Sequence, residues 1–169
     1  MVRPMRHLVF IALGSNLGDS RLIIRDAMTQ LRQLSDVPIL QSSLWQSMPV
    51  NCPPGSPLFL NAVVSLTPRV SETPESLLAR LQVLEREFGR QPKKILNEPR
   101  PLDLDLIAFG SERRDSPSLI LPHPRAHERR FVLQPLAEIA PGFILPGQSK
   151  PVVELLALLP PDELMSRLD

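Results

Sequence analysis

Two carboxylates, Asp103 and Asp105, stand two residues apart in the segment 100–107, where leucines occupy the alternating positions. A period of two predicts a β-strand with the leucines on one face and both aspartates on the other. Carboxylates roughly 6.5–7 Å apart along a strand repel each other unless water, arginine or a cation separates them. Aspartate oxygens suit Mg²⁺, which at such sites usually also holds substrate phosphates. The alternative for these residues alone is a half-exposed strand with a solvated acidic face.

A second pair, Phe59 and Asn61, lies in a predicted strand over Leu58–Leu66. Residues two apart on a strand share a face. Asparagine offers hydrogen-bond donors and acceptors together, which suits a heterocycle with mixed edges, and a neighbouring aromatic ring could stack on it. The alternative is a core phenylalanine followed by an asparagine near the end of a strand.

Basic side chains are concentrated in two places, although the net charge of +1 argues against a general nucleic-acid binder. Arginine grips polyphosphate through bidentate hydrogen bonds. The alternative is a solvated face, which we prefer for Arg86, Lys94 and Arg125, and a surface or packing role for His127. The two locally basic regions contain Glu85, Arg86, Arg90, Lys93, Lys94 and Arg100, and then His123, Arg125, His127, Arg129 and Arg130.

The segment Gly14 to Asp19 follows a predicted strand and opens a predicted helix, which is the position of a phosphate-binding loop. No Lys-Ser/Thr pair follows it, and the dinucleotide-binding spacing is absent. We therefore interpret this segment as a tight turn in which Asp19 or Ser20 caps the helix.

The elements that position these residues occur in the order βαββαβ. This order predicts an α+β fold with a ferredoxin-like core, an antiparallel sheet with helices packed on one face. The remainder, 111–169, predicts a C-terminal helical extension, with Pro135 kinking or ending its first helix. No repeat or linker divides the chain, so we expect a single domain over residues 1–169. The predicted strands are 7–13, 39–47, 58–66 and 102–109, and the predicted helices begin near 19–20, 73, 129 and 152.

Composition points to a globular chain of ordinary size, with 169 residues, 43% of them hydrophobic and 22% charged. The single cysteine, Cys52, excludes an internal disulfide and fits a reducing compartment. The N-terminal apolar run is too short for a signal peptide or a membrane span. We expect a cytoplasmic protein without a membrane partner.

Four motifs occur in a fixed order and together carry a resemblance. The sequence resembles the 6-hydroxymethyl-7,8-dihydropterin pyrophosphokinase family of the folate pathway over nearly the whole chain. The resemblance implies transfer of the β,γ-pyrophosphoryl group of ATP to the pterin hydroxymethyl, with release of AMP. It implies ATP as co-substrate, two Mg²⁺ ions and no nucleic-acid partner, and a monomer is the simplest expectation. The motifs are Gly14 to Asp19, Phe59-Leu60-Asn61, Arg100 to Asp105, and Leu121-Pro122-His123 followed by Arg129 and Phe131.

The resemblance also implies residue roles. It places the metal ions on Asp103 and Asp105, and it assigns Arg90, Arg100 and Asp105 to catalysis. The implied ATP-binding residues are Glu85, Arg90, Arg100, His123 and Arg129. The implied pterin-binding residues are Ser47, Val50, Phe59, Asn61 and Phe131. The chain departs from the usual family pattern at Pro92, Asn97 and Pro124.

Two rival functions remain open at this point. A metal-dependent phosphodiesterase or nuclease could use the same aspartate pair without any pterin. A ferredoxin-like RNA-binding module would stack bases on aromatic residues of the sheet. The absence of tyrosine and the aromatic content of 4% argue against the RNA-binding module.

Overall fold

The computed structural model describes residues 8–48, 52–92, 94–160 and 165–168. The helices in these ranges are α1 (Ser20–Arg32), α2 (Pro74–Glu87), α3 (Arg130–Ile139) and α4 (Val152–Ala157), with a 3₁₀ turn at Ala126–Glu128. The strands are β1 (Val9–Ser15), β2 (Leu40–Gln41), β3 (Leu44–Ser47), β4 (Phe59–Leu66), β5 (Asp103–Phe109), β6 (Arg114–Asp115), β7 (Ile120–Leu121) and β8 (Met165–Leu168).

The main sheet has the strand order β5-β1-β4-β3-β8, with β2 also paired to β4. Every pairing within it is antiparallel. The first strand of the chain thus lies between β4 and β5, which is the arrangement expected of a ferredoxin-like βαββαβ core. The predicted fold class is confirmed.

The strand predicted over 39–47 is two short pieces, β2 and β3, on either side of Ser42 and Ser43. The Ser42 hydroxyl accepts the backbone N–H of Val63 at 2.9 Å and donates to the Ser43 carbonyl at 2.8 Å. The side chain thereby competes with the regular ladder, which interrupts the strand while keeping it against β4.

Local signals explain where α1 and α2 begin and end. The Asp19 carboxylate accepts the N–H of Leu22 and caps α1, as predicted. Thr73 and Ser76 exchange side-chain and backbone hydrogen bonds in a capping box at the start of α2. Gly89 follows α2 with φ of +94°, a conformation that glycine adopts without a Cβ clash.

The sheet has an apolar core on each face. Alternate residues such as Ile11, Leu13 and Val64 pack with α1 and α2 in the larger cluster. Phe10 and Val63, whose side chains point to the opposite face, pack with α3 and α4. The prediction of helices on one face therefore describes only the βαββαβ core, because the C-terminal extension covers the second face.

The C-terminal extension differs from its prediction in two ways. Helix α3 continues through Pro135 to Ile139, so Pro135 does not end the helix. The extension is also not wholly helical, because β8 pairs antiparallel with β3 and Leu168 lies opposite Leu44. The open edge of β3 offers unpaired backbone groups, and an extended C-terminal segment satisfies them.

Candidate active site

Asp103 and Asp105 lie on the same face of β5, while Leu104 and Leu106 are buried on the opposite face. This confirms the predicted alternation. Within the described residues, β5 is an outer strand of the main sheet. Its Leu104 N–H is satisfied from α2, where Oε2 of Glu85 accepts it at 2.8 Å. The helix thus covers a strand edge and brings a third carboxylate beside the aspartate pair.

Arg90 bridges two of these carboxylates. Its Nη1 lies 2.8 Å from Oε2 of Glu85 and 2.6 Å from Oδ1 of Asp103. All three side chains are mostly buried, so their charges are weakly screened by water. Arg90 therefore neutralises one end of the acidic cluster and leaves Asp105 as the less compensated carboxylate.

Burial raises the pKa of the Asp105 carboxyl to about 7, and the neighbouring carboxylates Asp103 and Glu85 act in the same direction. Arg129 and Arg90 oppose this shift without overcoming it. A cation at the carboxylate pair would relieve the repulsion, so the donor set fits a hard divalent ion. Among the described residues, no group of three or more His, Cys, Asp or Glu side chains could hold a metal by itself. Two carboxylates suit Mg²⁺, which completes its coordination with water and substrate phosphate.

Arg100 enters the site from the other end of the loop that begins at Arg90. Its Nε lies 3.9 Å from Oδ2 of Asp103, and its Cζ lies 5.4 Å from the centre of the Phe59 ring. Its backbone is held by Asn16 through two hydrogen bonds, Asn16 N to Arg100 O at 3.1 Å and Arg100 N to Asn16 Oδ1 at 2.9 Å. The turn containing Asn16 therefore fixes the position of the Arg100 backbone.

Two buried donors near this point lack hydrogen-bond acceptors within the described part of the chain. They are Nε of Arg100 and Nδ2 of Asn16. A buried donor without an acceptor costs about 1–3 kcal/mol, and such groups call for a functional explanation more often than fully bonded ones. Asn16 is the residue that the sequence analysis missed, because a glycine-rich turn with an aspartate cap has a sufficient structural interpretation. The position directly after a strand end was the available signal.

The inner strands provide a neutral half of the site. Asn61 on β4 is buried, and its Nδ2 donates to the Ser47 hydroxyl on β3 at 2.7 Å. This bond orients the amide and leaves Oδ1 and one N–H for a ligand. Phe59 lies at the start of β4, opposite Ser47 in the register. Val50, another predicted pterin-binding residue, lies outside the described residues.

Helix α3 brings Phe131 and Arg129 to the site. Phe131 is in the first turn and packs against the core of the second face. The guanidinium carbon of Arg129, just before the helix, lies 5.4 Å from the centre of the Phe131 ring. Arg129 also acts electrostatically on Asp105, so the helix start connects the aromatic and acidic parts of the site.

His123 is held beside β5 by its backbone, whose N–H donates to the Ile107 carbonyl at 2.9 Å. Its Nδ1 accepts the N–H of Arg125 at 3.2 Å. Burial, followed by the charge of Arg129, lowers the pKa of His123 to about 4. His123 is therefore neutral at neutral pH and offers hydrogen bonds rather than charge.

The predicted site residues that the structure describes thus form connected groups. Phe59 links the neutral half to Arg100, and Asp103 links Arg100 to Arg90 and Glu85. The basic residues interpreted as solvated, Arg86, Lys94 and Arg125, are exposed.

Fold and site together define an α+β protein with a mixed acidic and basic cluster suited to polyphosphate chemistry. The family model for 7,8-dihydro-6-hydroxymethylpterin-pyrophosphokinase (HPPK) matches residues 10–141. The chain therefore belongs to the HPPK family. This confirms the family that the ordered motifs resembled and the predicted enzyme class, a pyrophosphokinase of folate biosynthesis.

Two bacterial relatives that align over most of both chains are named as this pyrophosphokinase. The 2-amino-4-hydroxy-6-hydroxymethyldihydropteridine pyrophosphokinase of Pseudomonas aeruginosa is 40% identical over 154 residues, covering 90% of this chain and 91% of the relative. The protein of that name from Bacillus subtilis is 40% identical over 136 residues, covering 80% and 79%. The chain also matches larger proteins, including the folic acid synthesis protein fol1 of Pneumocystis carinii, of which it spans 18% at 41% identity.

Solved structures support the fold. A crystal structure of a Plasmodium falciparum HPPK-DHPS triple mutant with SDX-DHP aligns with a TM-score of 0.70 over 89% of this chain and 44% of that chain. The sequence identity is 13%, so this likeness concerns the fold alone. No helix in the described ranges is long and apolar enough to cross a membrane.

Proposed function

We propose that this chain transfers the pyrophosphoryl group of ATP to the hydroxymethyl group of 6-hydroxymethyl-7,8-dihydropterin, forming AMP and the pterin diphosphate. The observation that carries the proposal is the adjacency of two unlike half-sites on one sheet. An oriented amide beside an aromatic ring suits a heterocycle, and a carboxylate pair among arginines suits polyphosphate. Phe59 and Arg100, in contact with each other, mark the boundary between the two halves.

The neutral half is assigned to the pterin. Asn61, oriented by Ser47, reads the ring edge, and Phe59 and Phe131 stack on the ring faces. Val50 is assigned to the same ligand by the family resemblance. Aromatic stacking contributes about 0.5–1.5 kcal/mol per ring beyond the area buried, while the amide contributes directional selection of one edge.

The charged half is assigned to ATP. Arg90 and Arg100 bind the phosphates, and Arg129, His123 and Glu85 lie along the nucleotide. Asp103 and Asp105 would hold Mg²⁺, for which we propose two ions. When bound, the metal neutralises phosphate charge and orients the transferred group.

The chain's own residues act mainly by positioning. Phosphoryl-type transfer requires little covalent chemistry from the protein, so aligned cations and excluded water dominate the rate enhancement. Arg90 is held by Glu85 and Asp103 before any ligand arrives, and Arg100 is held by Asn16. The Arg90 guanidinium and the Arg100 backbone are therefore preorganised, and less ordering is required when polyphosphate binds. Arg90, Arg100 and Asp105 are the groups that we assign to the reacting phosphates.

Several further properties belong to the proposal. We propose that residues 1–169 act as one domain, that the protein works in the cytoplasm, and that it is active as a monomer. The two small molecules are the proposed partners, without a nucleic acid or a membrane.

The experiment is AMP release from ATP and Mg²⁺ by the purified protein, with and without the pterin. We expect AMP only when the pterin is present. Pterin-independent AMP formation would point instead to a phosphodiesterase acting through the aspartate pair. Size-exclusion chromatography with light scattering checks the monomer on the same sample.

A further inference from the structure

Gly14 occupies the point of the sheet between the two half-sites. In the register, Gly14 lies opposite Asn61 of β4 on one side and opposite Asp103 of β5 on the other. Directly opposed residues on neighbouring strands share a face. With strands about 4.8 Å apart, Asn61 and Asp103 are separated by roughly 10 Å across Gly14.

The missing side chain of Gly14 would point into the site. A Cβ at this position would lie 3.8 Å from Oδ1 of Asn61, 3.8 Å from Cδ1 of Phe59 and 3.9 Å from Cβ of Asp103. These are ordinary van der Waals distances, so the three side chains would not have to move. A methyl group would instead fill the space between them.

The backbone gives no reason for glycine at this position. Gly14 lies within β1, and it is absent from the glycines with positive φ. Glycine inside a strand is less favourable than alanine by about 0.5–1 kcal/mol. Where neither conformation nor packing requires it, a strand glycine often marks close approach by a ligand.

We propose that Gly14 keeps a passage open for the hydroxymethyl arm of the pterin, and that this is a specificity determinant of the site. The inference rests on the proposed function. A ring whose edge is read at Asn61 must extend its reacting oxygen toward the carboxylate pair, and the direct path crosses Gly14. A side chain at position 14 would leave the pterin-ring subsite and the nucleotide subsite in place. It would occupy the space needed by the hydroxymethyl arm that extends from one subsite to the other.

The test compares Gly14→Ala with Gly142→Ala. Gly142 is a matched control, because a Cβ there would meet no atom within 4 Å and its φ is also not positive. Thermal unfolding should show both variants folded. Calorimetry then measures three ligands: the hydroxymethyl pterin, the same ring without the 6-substituent, and an ATP analogue with Mg²⁺.

For Gly14→Ala we expect the affinity for the hydroxymethyl pterin to fall roughly tenfold to two-hundredfold, the range for one misplaced methyl group. The unsubstituted ring and the ATP analogue should bind within about twofold of wild type, and Gly142→Ala should match wild type throughout. Unchanged binding of the hydroxymethyl pterin would overturn the proposal, as would equal losses for both pterins. A Gly14→Ala protein that fails to fold beside a folded control would also overturn it, because the glycine would then serve strand packing.

Failure of the proposed function has a different signature. In that case wild-type protein would form no pterin diphosphate, or would not bind the pterin at all. The Gly14 test compares only the pterin affinity of the variant with that of wild type. If wild type turns over and Gly14→Ala binds the hydroxymethyl pterin equally well, the passage is rejected while the proposed reaction stands.

Discussion

The two halves of the site are built on different principles. The carboxylate half, formed by Glu85, Asp103, Asp105 and Arg90, lies at β5, an outer strand of the sheet as described, where α2 supplies Glu85 and the following loop supplies Arg90. The amide half, formed by Ser47, Phe59 and Asn61, lies on inner strands and is oriented by a single 2.7 Å hydrogen bond. The charged groups form a mostly buried cluster beside β5, while the neutral groups lie on inner strands of the sheet. We therefore expect a change in one half to affect mainly the ligand assigned to that half.

The largest expected effect comes from removing charge at the carboxylate half. Asp105→Asn keeps the size of the side chain but removes a proposed metal ligand. Turnover should fall on the order of a thousandfold or more, since metal-based charge neutralisation supplies several kcal/mol of transition-state stabilisation. Steady-state kinetics at saturating Mg²⁺ measures the loss, and calorimetry should show pterin affinity nearly unchanged. Asp115→Asn, an exposed acid on β6, is the control. Near-normal turnover of Asp105→Asn would remove Asp105 from the carboxylate half.

Asn16 should behave as a residue of the carboxylate half although it carries no charge. Asn16→Ala removes the acceptor of the Arg100 backbone N–H, so the Arg100 backbone is held less firmly beside the site. We expect about a tenfold to hundredfold loss in kcat/KM for ATP, in line with small misplacement of a positioned group. On an Arg100→Ala background the same change should cost much less, because coupled residues are not additive.

Asp19→Ala is the matched control for Asn16. It lies in the same turn and caps α1, so it should lower stability by about 1 kcal/mol without changing the ATP kinetics. Additive losses for Asn16→Ala and Arg100→Ala would show that Asn16 acts on folding or on another group.

Substitution of the aromatic residues should affect mainly the amide half, and so mainly pterin binding. Phe131→Ala or Phe59→Ala should weaken pterin binding by about 1 kcal/mol beyond the lost buried area, with a much smaller effect on ATP. Phe59→Ala is the more demanding test of this separation, because the Phe59 ring also faces Arg100. Calorimetry with each ligand separates the two halves. Equal weakening for both ligands would favour a general packing role for the rings.

The last expected effect is on stability rather than on activity, and it depends on pH. Because the pKa of Asp105 is raised from 3.8 to about 7, the folded state binds more protons than the unfolded state between these values. The Asp105 contribution to the unfolding free energy therefore falls as pH rises from 4 to 7. Without Mg²⁺, wild type should lose on the order of a few kcal/mol relative to Asp105→Asn over this range. Urea titrations at several pH values measure the difference, and parallel pH profiles would contradict the raised pKa.

Periodicity and caps were enough to predict the parts of the molecule that depend on local sequence. The alternation around Asp103 and Asp105 predicted their shared face, and Thr73-Pro74 predicted the start of α2. The strand β8 was missed because its pairing depends on the open edge of β3, which no local pattern in 165–168 reveals. Asn16 was missed for a related reason, since its partner Arg100 is 84 residues away. The bridge from Arg90 to Glu85 and Asp103 likewise needs the tertiary structure.

The most direct test of the central claim is the mass of the pterin product formed from ATP in the presence of Mg²⁺. If one half-site holds the pterin and the other delivers the terminal two phosphates, the product carries two phosphate groups and the nucleotide is released as AMP. Mass spectrometry of the wild-type reaction should show these two species in equal amounts. A pterin monophosphate together with ADP would contradict the account, because the carboxylate half would then transfer a single phosphoryl group.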